Sequence, residues 1–238
     1  MIETVPETGS TNVDLAWRIR AGEEIPEGFW LRAEKQTGGR GRLGREWVSP
    51  EGNLYCSTVV SIIDADPPAH SLSFVASLAV YDTLAQCLKP DRAILLKWPN
   101  DALVDRAKIS GILLERCNET IVVGIGLNVS FSPDLPDRET THIVADNDEF
   151  RGDVEEVLEI LTRSFSERLS QWRDQGMSAT LNAWRRFSHS SGDTLSATGA
   201  DGEKVIGVFA GISEEGALQL RLPDGTHTEI YAGDVNIV

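Results

Sequence analysis

Three arginines stand within six residues in the run Gly39-Arg40-Gly41-Arg42-Leu43-Gly44-Arg45-Glu46-Trp47, inside a chain that is otherwise acidic. Guanidinium groups grip phosphate or carboxylate oxygens in pairs, and glycines let backbone N–H groups close on the same oxygens. The chemistry of the run is therefore that of an anion-binding loop. Lys97-Trp98-Pro99-Asn100-Asp101 places a lysine at a strand end and two side-chain acceptors on a proline-fixed turn. Lys108 opens the apolar run KISGILLE, where a point charge at a strand end suits a developing anion. In Gly124-Ile125-Gly126-Leu127-Asn128 the glycines permit close approach to a sheet, and Asn128 offers both a donor and an acceptor. Taken singly, these features also describe a solvated basic loop, an ordinary β-turn, a solvated edge lysine and packing glycines.

Two familiar phosphate motifs do not apply. Gly39, Gly41 and Gly44 match the spacing of a dinucleotide fingerprint, with Asp64 twenty residues on, but that fingerprint must open a helix. Here Trp-Val-Ser-Pro-Glu-Gly leads into a strand and Pro50 stops helix continuation. A P-loop needs Lys and then Ser or Thr where Arg45 and Glu46 stand.

The elements that must position these residues follow from periodicity. Ser10 is placed to cap a helix running to about Arg20, with Leu15, Ala16 and Ile19 on one stripe and Gly22 as a stop. Residues 28–36 and 53–63 read as strands flanking the glycine–arginine loop. Phe74, Leu78, Tyr81, Ala85 and Leu88 mark an amphipathic helix over 70–89, ended by Pro90. ILLKW, KISGILLE and TIVVGIGLNV read as neighbouring antiparallel strands separated by PND and NET turns. Val154, Val157, Leu158, Leu161, Phe165, Leu169 and Trp172 give a second long helix, residues 177–189 a third, and 132–152 a surface loop. From Ser190 onward only short runs split by Asp-Gly or Glu-Gly remain, which suggests a small all-β barrel over 190–238 leaning on a larger domain over 1–189.

The chain has 238 residues, 22 Lys plus Arg, 37 Asp plus Glu, a formal net charge of −15, and 41% hydrophobic residues. That apolar content supports a folded core, and the acidity argues against a general nucleic-acid binder, including one that uses Arg40, Arg42, Arg45 and Trp47 as a basic-aromatic RNA site. No run of about 18 apolar residues is present, and MIETVPETGS lacks a signal-peptide layout, so the expectation is a cytoplasmic protein that neither spans nor docks on a membrane. Cys56, Cys87 and Cys117 read as buried free thiols. His70, His142, His189 and His227 lack ligand spacing, so no metal site is assigned.

The ordered set of Ser10-Thr11-Asn12, GRGRLGREW at 39–47, SPEGNLY at 49–55, KWPND at 97–101, KISGILLE at 108–115 and GIGLN at 124–128 resembles biotin protein ligases over nearly the whole chain. The resemblance implies an α+β fold: a mixed, mainly antiparallel sheet with helices packed on it, akin to class II aminoacyl-tRNA synthetases, plus a small C-terminal barrel like a Src-homology-3 domain. It implies that ATP and biotin make biotinyl-5′-AMP, with Mg2+ accompanying the nucleotide, before biotin passes to a lysine of a carrier domain of a biotin-dependent carboxylase. On that resemblance Ser10, Thr11, Asn12 and Gln36 bind biotin, while Arg40, Arg42 and Arg45, with Gly39 and Gly41 in the same loop, close over biotin and the phosphates. Trp47 and Asn128 hold the adenine, and Asn100 and Gly111 belong to the ligand-binding set. Lys108 stabilises the phosphoryl and carboxylate oxygens with Arg42, and Asp101 orients the carrier lysine or takes its proton.

The loop at 39–47 is expected to be mobile alone and ordered with ligand. Family members that double as repressors carry a helix-turn-helix ahead of the biotin motif; only nine residues precede Ser10, so no DNA binding is expected. A homodimer through the sheet edge is consistent with the pattern. The rivals are a lipoate ligase of the related fold, against which GRGRLGR and KWPND speak, and a non-catalytic biotin sensor, against which Lys108 beside three arginines speaks.

Overall fold

The computed structural model describes residues 1–199 and 202–237, without the side chain of the last. Its larger sheet has seven strands. In spatial order they are β1 (Ile2–Thr8), β2 (Trp30–Gln36), β3 (Leu54–Ser61), β7 (Thr120–Leu127), β6 (Ala107–Cys117), β5 (Asp101–Val104) and β4 (Ile94–Lys97). Every neighbouring pair is antiparallel except β1 with β2, which is parallel. Two strands escape the sequence reading. In β1, Pro6 and the scattered acids argue against a strand, yet an edge position tolerates a missing donor, and the ladder registers Val5 and Glu7 on either side of Pro6. β5 is only four residues long, too short for a period to register.

Side chains alternate between the two faces of the sheet. Cys56 and Val60 of β3 and Ile121, Val123, Ile125 and Leu127 of β7 point into the main core, against helices α2 (Leu72–Cys87) and α4 (Val154–Arg185). On the opposite face Val59 and Val122 pack under Leu15 and Ala16 of α1 (Thr11–Arg20). Farther along the same strands that face carries Ser57, Gly124 and Gly126, and there the apolar packing gives way to a cavity.

The helix expected at 70–89 is α2, but it is not amphipathic in the expected sense. Held between sheet and α4, it buries residues on nearly every side, including Val75, Ala76, Ala79 and Val80 beyond the expected stripe. α4 starts on an Asp153 cap whose carboxylate accepts from the Glu155 and Glu156 N–H groups, and it breaks at Gly176 (φ 80°), which separates the expected second and third helices. The segment 132–152 contains a short helix, α3 (Ile143–Asp146), with Ile143 fully buried, so it is more than a surface loop.

The C-terminal runs form a five-stranded antiparallel sheet in the order β11 (His227–Ile230), β10 (Leu218–Arg221), β9 (Lys204–Ile212), β8 (Thr194–Gly199) and β12 (Gly233–Ile237). Its apolar residues, among them Leu195, Phe209, Leu218 and Leu220, are continuous with the core around α2 and α4. The joint is specific. Trp98 Nε1 donates to the Gly216 carbonyl at 3.0 Å, and Gly216 lies so close to Phe74 that an added Cβ would approach the ring to 2.9 Å.

Candidate active site

A cavity of about 320 Å3 opens over the glycine-bearing face of β6 and β7. Its floor follows from register. Gly111 and Gly126 are paired across the two strands, and the Trp47 indole lies over both: a Cβ at Gly126 would come within 2.6 Å of the ring and one at Gly111 within 3.0 Å. Two pairs along, Gly124 sits opposite Leu113 and beneath Asn12, whose Oδ1 would be 2.2 Å from an added Cβ. The two glycines of GIGLN are therefore two seats, one for an amide and one for an indole.

The amide seat is fully wired. Asn12 Nδ2 donates to Glu115 Oε2 at 2.8 Å and, more weakly, to the Leu113 carbonyl at 3.4 Å, while Ser57 Oγ donates to Asn12 Oδ1 at 2.6 Å. Thr11 Oγ1 lies 2.7 Å from Ser57 Oγ, and the Thr11 N–H donates to Gln36 Oε1 at 2.9 Å. Gln36 Nε2 in turn reaches Ser49 Oγ at 3.3 Å, and Ser49 donates to the Trp47 carbonyl at 2.7 Å. Ser10 precedes α1 in extended backbone, but its hydroxyl makes no cap bond; it lines the cavity instead.

The glycine–arginine loop is a tight hairpin rather than an irregular connection. Arg40 bridges to Glu46, the Trp47 N–H bonds the Gly39 carbonyl at 3.0 Å, and Leu43 (φ 56°) with Gly44 (φ 71°) turns the tip. Gly39 must lack a side chain, because a Cβ would meet the Trp47 carbonyl at 2.6 Å. The arginines reach across to the C-terminal sheet. Arg42 donates to the Gly233 carbonyl at 2.9 Å and, at 3.4 Å, to Asn100 Oδ1, and Arg45 pairs with Asp234 at 2.5 Å. Burial lowers the affinity of the Arg42 guanidinium for its proton, with Asp234 and Asp101 opposing that effect.

On the third side Asp101 sits between two lysines, 2.6 Å from Lys108 Nζ and 3.7 Å from Lys97 Nζ. Burial pushes the Lys97 ammonium below its ordinary range, and the nearby Lys108 and Arg138 push the same way. Lys108 Nζ also stands 5.3 Å from the centre of the Trp47 ring, so one cation faces both the carboxylate and the aromatic seat. Asn100 donates to the Ile112 carbonyl at 2.7 Å, fixing the KWPND turn to β6. Asn128 is buried, with Nδ2 on the Thr141 carbonyl at 2.9 Å.

Fourteen of the fifteen residues singled out in the sequence line this cavity, and the fifteenth, Gly39, closes the hairpin above it. Sequence reasoning missed Tyr55, Arg138, Thr140 and Asp234, which also line it. Arg138 and Thr140 arrive because residues 139–141 bond to Lys108, whose N–H donates to the Glu139 carbonyl at 2.9 Å. A basic residue in the acidic stretch DLPDRET was the available signal for Arg138. Asp234, in a generic strand, had none.

The fold and site together define a nucleotide-dependent ligase of carboxylic acids, and comparison with known proteins places it within that class. Residues 9–132 match the biotin/lipoate A/B protein ligase family, and residues 196–237 match the biotin protein ligase C-terminal domain. The chain is 35% identical over 235 residues to a biotin–[acetyl-CoA-carboxylase] ligase of Paracoccus denitrificans, an alignment covering 92% of this chain and 93% of the relative. It is 34% identical over 237 residues to the enzyme of that name from Mycobacterium tuberculosis, covering 98% and 88%. The biotin protein ligase of Aquifex aeolicus, solved with biotin and ATP, superposes with a TM-score of 0.85 at 27% identity, covering 100% of this chain and 99% of that one. The chain belongs to the biotin/lipoate A/B protein ligase family.

Proposed function

We infer that the protein ligates biotin to a lysine of a carrier protein at the expense of ATP, through biotinyl-5′-AMP. In the first step a biotin carboxylate oxygen attacks the α-phosphorus and pyrophosphate leaves. In the second the carrier lysine amine attacks the acyl carbon, AMP departs and the amine loses a proton. Neither step needs a covalent protein nucleophile; both need charge neutralised and reactants aligned. The observation that carries the reading is convergence: Ser10-Thr11-Asn12 and Gln36 face one cavity together with the arginine hairpin, Trp47 and Lys108.

Within that reading Ser10, Thr11, Asn12 and Gln36 take the ureido ring, and Arg40, Arg42 and Arg45 with the Gly39 and Gly41 backbone take the carboxylate and phosphates. Trp47 and Asn128 take the adenine beside Gly111 and Asn100. Lys108 stabilises the α-phosphoryl oxygens, and Asp101, held between Lys108 and Lys97, receives the carrier lysine. Magnesium would accompany the nucleotide, held mainly by the triphosphate oxygens.

The acceptor proposed is the carrier domain of a biotin-dependent carboxylase, with the C-terminal segment 190–238 as a unit bearing on the loop through Gly233 and Asp234. A cytoplasmic location is supported by three free, buried cysteines; burial raises Cys87 to about 11 and raises Cys56 further, which keeps both thiols unreactive. Among the described residues no helix is long and apolar enough to cross a membrane. A net charge of −15 supports leaving DNA out of the partners. The outer edge of β1 supports a homodimer by edge pairing, which sedimentation tests.

The deciding experiment is exchange of labelled pyrophosphate into ATP, with biotin or lipoate as the acid. Exchange with biotin alone is expected. Exchange that is as fast with lipoate, or absent with biotin, overturns the reading.

A further inference from the structure

Glu115 lies outside the cavity lining, two residues before the end of β6 and paired with Val122 of β7, and nothing in the proposed chemistry uses it. Its carboxylate is nonetheless the acceptor for Asn12 Nδ2, at 2.8 Å. We infer that Glu115 is a positioning residue that fixes which end of the Asn12 amide is presented to the ureido ring of biotin, and so sets the donor–acceptor pattern of the acid-binding pocket. The inference rests on the functional reading above.

The argument is one of direction. An amide can be turned end for end with little change in shape, so its orientation must be imposed by partners. A carboxylate only accepts, which forces Nδ2 toward Glu115 and leaves Oδ1 toward Ser57. Ser57, fully buried, must then spend its single hydroxyl proton on Asn12 Oδ1. At the 2.7 Å contact between Thr11 and Ser57 the donor is therefore Thr11, whose one hydroxyl proton is then withheld from Gln36 Oε1, 3.3 Å away and already served by the Thr11 N–H. The result is two unspent acceptors on side chains that line the cavity: a second lone pair on Asn12 Oδ1 and the lone pairs of Thr11 Oγ1. A cyclic urea carries two N–H donors. One charge outside the pocket thus orders the polarity of three groups in sequence, and Gly124 makes this possible by leaving room for the amide.

The test uses the intact protein and two readouts, biotin binding by calorimetry and biotin-dependent pyrophosphate exchange. Glu115→Leu frees the amide to turn, and the KM and dissociation constant for biotin are expected to rise about tenfold, the loss of one hydrogen-bond register. The ureido end is remote from the reacting carboxylate, so kcat and the KM for ATP are expected to stay within about twofold. Glu115→Gln keeps an acceptor for Nδ2 without forcing the direction, and is expected to restore part of the affinity. Ser57→Ala, which strips the other end of the amide, carries the same expectation as Glu115→Leu and decides the matter if the leucine variant does not fold. Unchanged biotin affinity in Glu115→Leu, or in Ser57→Ala where it stands in, overturns the inference, as does an equal loss in kcat or no rescue by Glu115→Gln. Failure of the wild type to exchange while it binds biotin would sink the ligase reading alone, since the binding arm still judges Glu115; failure to bind biotin would sink both.

Discussion

The two glycine seats of the cavity lie two residues apart on the same face of the same strands, yet they are organised in opposite ways. Over Gly124, every polar atom of Asn12 meets a partner on a rigid strand, and the hydrogen bonds run on through Ser57 and Thr11 to Gln36. Over Gly126, the Trp47 indole rests on backbone with its Nε1 buried and unpartnered, at the end of a hairpin held to the C-terminal sheet by the Gly233 carbonyl and one half-exposed ion pair with Asp234. The first end is finished before any ligand arrives; the second carries an unsatisfied donor, which costs about 1–3 kcal/mol where it is left buried. An enzyme that binds a small rigid acid and a flexible triphosphate needs both kinds of surface: one that selects, and one that is completed by what it binds.

The comparison can be broken most severely at the group that serves both ends. Lys108→Ala removes the cation shared by Asp101 and Trp47 and is expected to slow biotin-dependent pyrophosphate exchange by about 10²–10³, the usual loss when one preorganised charge at a reacting oxyanion is deleted. Retention of more than a tenth of the wild-type rate would contradict its role.

Acid tests the scaffold beneath both ends. His189, the last residue before the C-terminal segment, is fully buried against Phe209, and burial lowers its pKa to about 4 although Asp193 lies 3.8 Å away. Its folded pKa lies below the ordinary 6.5, so the folded form binds the proton less well than the unfolded chain. Stability from this group is complete above pH 6.5 and is lost as pH falls toward 4, by about 3 kcal/mol at the low end. Melting temperatures measured across that range should fall for the wild type and fall less for His189→Leu; parallel curves would show that the ring does not matter.

The glycine pair gives the sharpest dissection. Gly124→Ala pushes into Asn12 and should raise the KM for biotin about tenfold, leaving ATP within about twofold; Gly126→Ala pushes into Trp47 and should do the reverse. Equal effects on both substrates in either variant would mean the seats are not separate. The smallest effect concerns the hairpin. Amide exchange over 40–46 should be fast without ligand, slow with biotin and ATP, and about threefold faster still in Asp234→Asn, since an exposed pair contributes below about 1 kcal/mol. Exchange in the free protein as slow as in the complex removes the contrast altogether.

Much of this was written in residue type and spacing. The strands β3, β6 and β7 announced themselves because their β-branched runs are flanked by turn residues, and nearly the whole site followed once the motifs were read in order. What stayed hidden has a physical cause in each case. β1 borrows its stability from β2 and needs no pattern of its own, so Pro6 misleads. α2 is apolar all round because it is enclosed all round, which erases the stripe that periodicity seeks. Asp234 and Arg138 reach the cavity only through tertiary approach, from the C-terminal sheet and from a segment stitched to Lys108 by backbone bonds. Glu115 closes the run KISGILLE, and an acid there carries no signal of its role until its partner Asn12 is in place.

The KWPND turn faces two ways. Asp101 and Asn100 look into the cavity, while Trp98 turns its ring back to hold the Gly216 carbonyl of the C-terminal sheet. The five residues are thus a weld as much as a piece of chemistry.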